Sequence, residues 1–208
     1  MSKSGNIDPY FKLSKFLSWI LRHGAIEEGI PIKDDGFMHV EYILNHPFVN
    51  GRYNKEDIIH VVDTDEKHRF GIRSNKQSFE IKANQGHSIN VVKNLELLPI
   101  NDTSGIKFVI HGTYWKNWNN IKSQGLLRMG RNHIHFAQNI CNTSQAISGL
   151  RKNVEIYIYI DLAKALESGL KFFLSPNGVI LSPGDQRGCI DAKFFLKVTK
   201  VDGTVLLF

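Results

Sequence analysis

From residue 107 to its C-terminus the chain is cut into short alternating segments separated by turn residues, and this spacing demands a strand-rich lobe. KFVIH, HIHFA, VEIYIYID, KFFLS, GVILS and AKFFLKV each read as strands, with turns at Pro176-Asn177-Gly178 and Pro183-Gly184-Asp185. Two helices interrupt them: TYWKNWNNIKSQG, stopped by Gly125, and LAKALESG, closed by Gly169. The second half is therefore expected to be α+β.

The first hundred residues have another texture. Leu13, Phe16, Leu17, Ile20 and Leu21 recur at the spacing of an amphipathic helix, and Trp19 widens the stripe. That helix runs without a break into Arg22, His23 and Gly24, where the cations complement the helix dipole and glycine is the usual stop. FMHVEYILNHP predicts an extended piece leading into a helix ended by Pro47, and Asn54 an N-cap for KEDIIHVVDTD. HRFGIRS and SFEIKAN, joined by Asn75, Lys76 and Gln77, predict a β-hairpin. Helices followed by a hairpin is the order of a winged-helix domain. ELLPINDTSGI reads as a linker, which divides the chain into residues 1–98, a connection over 99–106, and a second lobe over 107–208.

Charge narrows the ligand class. The net charge is +6, yet residues 1–100 hold 13 basic and 13 acidic side chains, so the excess lies wholly in the second half. No Asp or Glu occurs between Asp102 and Glu155, where Lys107, Lys116, Lys122, Arg128, Arg131, Arg151 and Lys152 fall. A solvated basic face and a seat for phosphate fit this stretch equally. Cys141 and Cys189 form no CxxC pair and predict free buried thiols. No apolar run spans a membrane and MSKSGNIDPY lacks a signal core, so an intracellular protein is expected.

Polar residues crowd the ends of several elements. His111-Gly112-Thr113 closes one strand and Arg131-Asn132-His133-Ile134-His135 opens another; along that second strand His133 and His135 share a face. With a third histidine this could hold a metal, although a basic surround without carboxylates opposes a dication. Lys67-His68-Arg69 and Asn84-Gln85-Gly86-His87-Ser88 flank the hairpin with donors suited to phosphate or ribose oxygens.

LSWILRHGA, KHRF, IKANQGHS, VIHGT, RNHIHFA, SGLR and PNGVILSPGD, in this order and spacing, resemble the Tpt1/KptA family of NAD-dependent RNA 2′-phosphotransferases, from about residue 12 to about residue 198. The resemblance implies an N-terminal winged-helix RNA lobe and a C-terminal ADP-ribosyltransferase-like, β-rich lobe. It implies transfer of an internal RNA 2′-phosphate, as at a tRNA splice junction, to NAD, leaving 2′-OH RNA, nicotinamide and ADP-ribose 1″,2″-cyclic phosphate. It maps a catalytic tetrad onto Arg22, His23, Arg69 and Arg131, and 2′-phosphate binding onto Lys67, Asn84, Gln85, His87 and Ser88. NAD falls to His111, Gly112, Thr113 and His133, with Asn132 and Arg151 beside them, and Gly112 is expected to let the backbone approach the dinucleotide.

No metal is implied and a monomer suffices. An alternative within reach of the same residues is a transferase that caps terminal phosphates of RNA or DNA with ADP-ribose. Two departures stand out: Lys82 occupies a position where the family wording has arginine, keeping charge without the planar fork, and Val179-Ile180 stand where protein ADP-ribosyltransferases carry a late catalytic glutamate.

Overall fold

A computed structural model describes residues 9–76, 78–140, 148–151 and 153–208; Gln77, Cys141 and Lys152, named above, lie outside the described residues. The chain divides into two compact units, Met1–Leu95 and Glu96–Phe208.

In the first unit α1 (Phe11–Trp19) buries Leu13, Phe16 and Leu17. It then widens into a π-helical turn, Ile20–Gly24, in which the Ala25 N–H reaches back five residues to the Ile20 carbonyl at 3.1 Å. The expected regular helix ending on a left-handed glycine is corrected here. Gly24 has no positive φ; it is glycine because an added Cβ would stand 2.5 to 2.7 Å from three carbons of the Trp19 indole. A single widened turn of this kind is uncommon and recurs at functional sites.

Downstream, β1 (Met38–His39) leads directly into α2 (Val40–Leu44), and α3 (Lys55–Asp63) starts at Asn54 through a reciprocal capping box with Asp57. The hairpin of β2 (Phe70–Ser74) and β3 (Phe79–Ala83) is antiparallel from Phe70↔Ala83 to Ser74↔Phe79, and β1 joins on the far side of β3. One core unites these pieces: Leu17, Ile20, Leu21, Ile43, Ile58 and Ile81 are fully buried, each contributing roughly 1.5–3 kcal/mol against exposure.

The second unit is built from antiparallel sheets. Strands β4 (Leu98–Ile100), β9 (Phe172–Leu174), β10 (Ile180–Ser182) and β7 (Ile134–Phe136) form one, in the order β4-β9-β10-β7. Strands β13 (Val205–Leu206), β12 (Phe195–Lys200), β8 (Ile156–Ile160) and β5 (Ile110–Thr113) form another, in the order β13-β12-β8-β5. A two-stranded ribbon pairs β6 (Leu126–Leu127) with β11 (Cys189–Ile190). Helix α4 (Trp115–Gln124) follows β5 and α5 (Leu162–Glu167) follows β8, the latter capped by Asp161. Phe136, Ile156, Ile158, Phe172, Ile180 and Val198 lie at the centre.

The start of the expected linker is thus a paired strand, since Pro99 faces Phe173 across the β4–β9 ladder. The fold class is α+β with several small antiparallel sheets. An isolated bridge, Ile110↔Ala137, ties the beginning of β5 to the chain just beyond β7 and so joins the two histidine-bearing strands. Buried Cys189 is a free thiol whose Sγ donates to the Gln124 carbonyl at 3.1 Å.

The Trp19 contact gives a stability test. Gly24→Ala forces a methyl group into the indole and is expected to cost about 1–3 kcal/mol, the usual penalty of overpacking. Gly130→Ala, where nothing lies within 4 Å of the new Cβ, should be near neutral. Urea unfolding of both variants measures the difference.

Candidate functional site

In the first unit the π-helical turn separates its own residues: Ile20, Leu21 and Gly24 are buried, while Arg22 and His23 remain half-exposed. The segment after β3 folds back onto them. The Ser88 N–H donates to the Arg22 carbonyl at 2.9 Å, and Ser88 Oγ lies 2.8 Å from His23 Nδ1. Gly86, at φ +95°, lies against the Arg22 side chain so closely that a Cβ would meet Nε at 3.3 Å. Residues more than sixty positions apart therefore hold the arginine and the imidazole in place.

Arg69 is fixed from two sides. Its backbone N–H and its guanidinium both donate to the buried Asp65 carboxylate. Asn84 donates its side-chain amide to the carbonyls of His68 (2.8 Å) and Phe70 (3.2 Å), and its backbone N–H goes to the Arg69 carbonyl at 2.8 Å. Both side-chain donations of Asn84 go to the protein, so this residue shapes the turn that presents Arg69. The turn includes His68 at φ +45°, a conformation that is uncommon outside glycine. Lys67, at its head, is half-buried; Gln85 and His87 are buried, His87 to 1% exposure. Lys82 is buried too, with its ammonium 4.6 Å from the centroid of the Phe37 ring, so the lysine in the expected arginine position is held on an aromatic face.

In the second unit His111 and the RNHIHF segment come together. His111 Nδ1 donates to the His135 carbonyl at 3.0 Å, which fixes the tautomer and leaves Nε2 as an acceptor. Burial, and secondarily the charge of Arg151, push its pKa below the ordinary histidine value despite the opposing pull of that carbonyl. Burial and the same Arg151 also lower Arg131, and burial with Arg128 lowers His133. The His133 ring meets Phe173 edge-on at 6.2 Å between centroids.

Arg131 sits in a closed turn: its N–H donates to the Arg128 carbonyl at 3.2 Å, and Arg128 Nη1 returns a bond to the Arg131 carbonyl at 2.8 Å. Gly188 forms the bed for Arg128, since a Cβ there would stand 2.5 Å from Nε. Thr113 is buried and its Oγ1 accepts from Asn117 at 3.4 Å; Asn132 is half-buried and Arg151 exposed. At Gly112 the place of a side chain is filled by Leu150 and Val154, each 2.8 Å from a would-be Cβ, so packing already requires glycine there.

The structure thus groups Arg22 with His23 and Ser88, Arg69 with Asn84, and His111 with Arg131 and Arg151. Asp65 and Arg128 were missing from the sequence-derived site because neither touches a motif edge that reads as ligand-binding. The spacing of Asp65 and Arg69, four apart, was the available signal for the first; the Arg128 contact depends on Gly188, sixty positions away, and left none. Among the described residues no three His, Cys, Asp or Glu side chains are grouped as metal ligands, and no helix is long and apolar enough to cross a membrane.

A family model described as RNA 2′-phosphotransferase, Tpt1 / KptA family, matches residues 8–184. The tRNA 2′-phosphotransferase 1 of Danio rerio is 40% identical over 194 residues, covering 91% of this chain and 85% of the relative. That of Homo sapiens is 41% identical over 196 residues, 93% of this chain and 77% of the relative. A probable RNA 2′-phosphotransferase of Rhizobium leguminosarum bv. trifolii is 31% identical over 171 residues, 82% of this chain and 88% of the relative. The family and the named relatives are transferases. The chain belongs to the Tpt1/KptA family of RNA 2′-phosphotransferases.

The buried histidines set a pH dependence. His111 has a folded pKa below its unfolded value of about 6.5, so its neutral form adds stability that is complete above that pH. This contribution is lost as pH falls below about 6.5 and through the folded value. Urea midpoints measured from pH 8 to pH 5 should fall for the wild type, and less steeply for His111→Gln; equal slopes would contradict this account.

Proposed function

We propose that this protein removes an internal 2′-phosphate from RNA, as at a tRNA splice junction, by transferring it to NAD with release of nicotinamide and ADP-ribose 1″,2″-cyclic phosphate. The observation that carries the proposal is the family match over residues 8–184, joined to a first unit in which Arg22, His23 and Arg69 are each held by a partner distant from a plain surface loop. The first unit is read as a winged-helix RNA-binding lobe and the second as an ADP-ribosyltransferase-like NAD lobe, acting as an intracellular monomer.

Arg22, His23, Arg69 and Arg131 act on the transferred phosphate. Arginines suit its non-bridging oxygens because the planar guanidinium pairs with them through two parallel N–H bonds. Charge accumulates on those oxygens when the phosphorus is attacked, and preorganised cations that need no rearrangement lower that barrier. Asp65 keeps Arg69 from swinging into solvent, and Ser88 orients the His23 imidazole for donating a proton or a hydrogen bond. Lys67, Asn84, Gln85, His87 and Ser88 form the surrounding 2′-phosphate region, in which Asn84, Gln85 and His87 are buried, Asn84 donating to two backbone carbonyls, and Lys67 and Ser88 are half-buried.

NAD supplies an electrophilic anomeric carbon whose leaving group is nicotinamide. The residues of the second unit fit such a ligand: neutral His111 offers Nε2 as acceptor for a sugar hydroxyl, and Arg151, His133 and Asn132 stand ready for pyrophosphate and ribose. Gly112 and Thr113 shape the strand end beside them.

Chromatography of a short RNA bearing one 2′-phosphate, incubated with NAD, tests the proposal. The wild type should yield 2′-OH RNA and cyclic ADP-ribose phosphate. Arg69→Ala should lower kcat by about 10²–10³-fold, the usual loss on deleting one donor to a developing oxyanion, and Asp65→Asn should lower it less. Accumulation of ADP-ribosylated RNA with no cyclic product would instead indicate a transferase that stops after the first step.

A further inference from the structure

Directly after β5, the chain places two aromatic side chains side by side in a shallow pocket of about 340 Å³ lined by Tyr114, Trp115, Lys116 and Glu155. Trp115 is 43% exposed, a large apolar area for a residue at the first position of a helix. The backbone beneath it is firm: Tyr114 is the N-cap of α4 without a side-chain cap of its own, and Glu155 Oε2, from the chain leading into β8, accepts the Trp115 N–H at 3.0 Å. Glu155 is tied down in turn, its N–H donating to the Thr113 carbonyl and its carbonyl accepting from Val201. Lysines flank both rings, Lys116 Nζ at 6.0 Å from the Tyr114 centroid and Lys200 Nζ at 5.8 Å from that of Trp115.

Of the residues read above as the NAD site, Thr113 borders this pocket, its carbonyl accepting from the Glu155 N–H, while His111 and the β7 segment lie on the other side of β5. Strand β5 pairs with β8 along one edge, where Gly112 and Thr113 face Tyr157 and Ile156. On its other side it meets the β7 segment through the Ile110–Ala137 bridge and the His111–His135 bond. The aromatic pair and Glu155 belong to the β8 side.

We infer that Tyr114 and Trp115 are a stacking platform for one unpaired nucleobase of the RNA substrate, with Lys116 and Lys200 on its flanking phosphates. This rests on the RNA reading of the preceding section and adds to it a second point of contact. Three features favour a base over other occupants. Aromatic rings on a fixed backbone, each with a lysine ammonium over it about 6 Å away, match a base and its phosphodiester, the pairing that single-strand binders use. The volume lies at the low end of the roughly 300–1,000 Å³ of small-ligand pockets, which suits one nucleoside rather than a dinucleotide. The single carboxylate at the rim disfavours a phosphate seated in the pocket itself and favours the amino edge of a base. Stacking needs little beyond a π-face, so the platform holds the strand without dictating its sequence.

The test uses the full chain and a short RNA with one internal 2′-phosphate, with steady-state constants measured separately for RNA and NAD. Trp115→Ala should raise the RNA KM by about 5- to 150-fold, the span expected for losing one stacked base. Trp115→Phe should restore most of the affinity, and the NAD KM should not move. A series of RNAs, each with one abasic nucleotide near the 2′-phosphate, should contain one member whose KM is raised for the wild type but no further raised by Trp115→Ala.

An unchanged RNA KM in Trp115→Ala overturns the inference and leaves the face to a protein partner. So does a parallel rise in the NAD KM, or additivity with every abasic position. If the wild type converts no 2′-phosphorylated RNA, the parent reading fails, and anisotropy of the labelled RNA still decides the platform: Trp115→Ala either weakens binding, as inferred, or leaves it unchanged.

Discussion

The first unit depends on one seam, the contact between the end of the first helix and the segment that follows the hairpin. The π-helical turn at Ile20–Gly24 turns Arg22 and His23 out of the core while Ile20 and Leu21 stay in it. In a regular helix Trp19 and Gly24, five positions apart, would stand further round the axis from each other, and the widened turn brings the indole over Gly24. The Ser88 N–H to the Arg22 carbonyl, Ser88 Oγ at His23, and Gly86 against the Arg22 side chain then lock this turn from outside. Each of these bonds is worth about 0.5–1.5 kcal/mol by itself. Their consequence is positional, because they convert a helix end that would fray into a fixed display of a guanidinium and an imidazole.

The two units treat their cations by opposite rules. In the first, acids are placed to steer bases: Asp65 holds Arg69, and buried Glu80 draws in Lys33, His39 and Arg73 while Arg73 also reaches Asp35. In the second, the acid-free stretch between Asp102 and Glu155 leaves Arg131, Arg151 and His111 to feel one another, and their mutual repulsion adds to burial in disfavouring charge. Such a cluster is relieved by an anion.

Local signals were the legible ones. The Asn54 N-cap of α3, the hairpin and the stop at Gly125 each depend on residues within a few positions, and all stand where the pattern placed them. Long-range demands were not legible. The apolar spacing does not show the widened turn that lets the Trp19 ring claim the space of a side chain at Gly24, and Gly112 owes its identity to Leu150 and Val154, some forty positions on, as well as to its strand end. Lys82 looked like a weakened phosphate ligand, yet its charge rests on Phe37, forty-five positions earlier. Val179 and Ile180 are fully buried, so the place where a late glutamate was sought belongs to the core.

The way Arg131 is held shows how a site keeps a cation available. A carboxylate partner would fix the guanidinium and also neutralise it, and an incoming phosphate would then compete with that partner. Here it is the main chain of the turn that is fixed: residues 128–131 close on themselves through two carbonyls, and Arg128 lies on Gly188, in a loop that Asp185 organises by accepting from the N–H groups of Arg187 and Cys189. Arg131 is thus positioned through its backbone, whereas Arg69 is positioned through its charge, which it shares with Asp65.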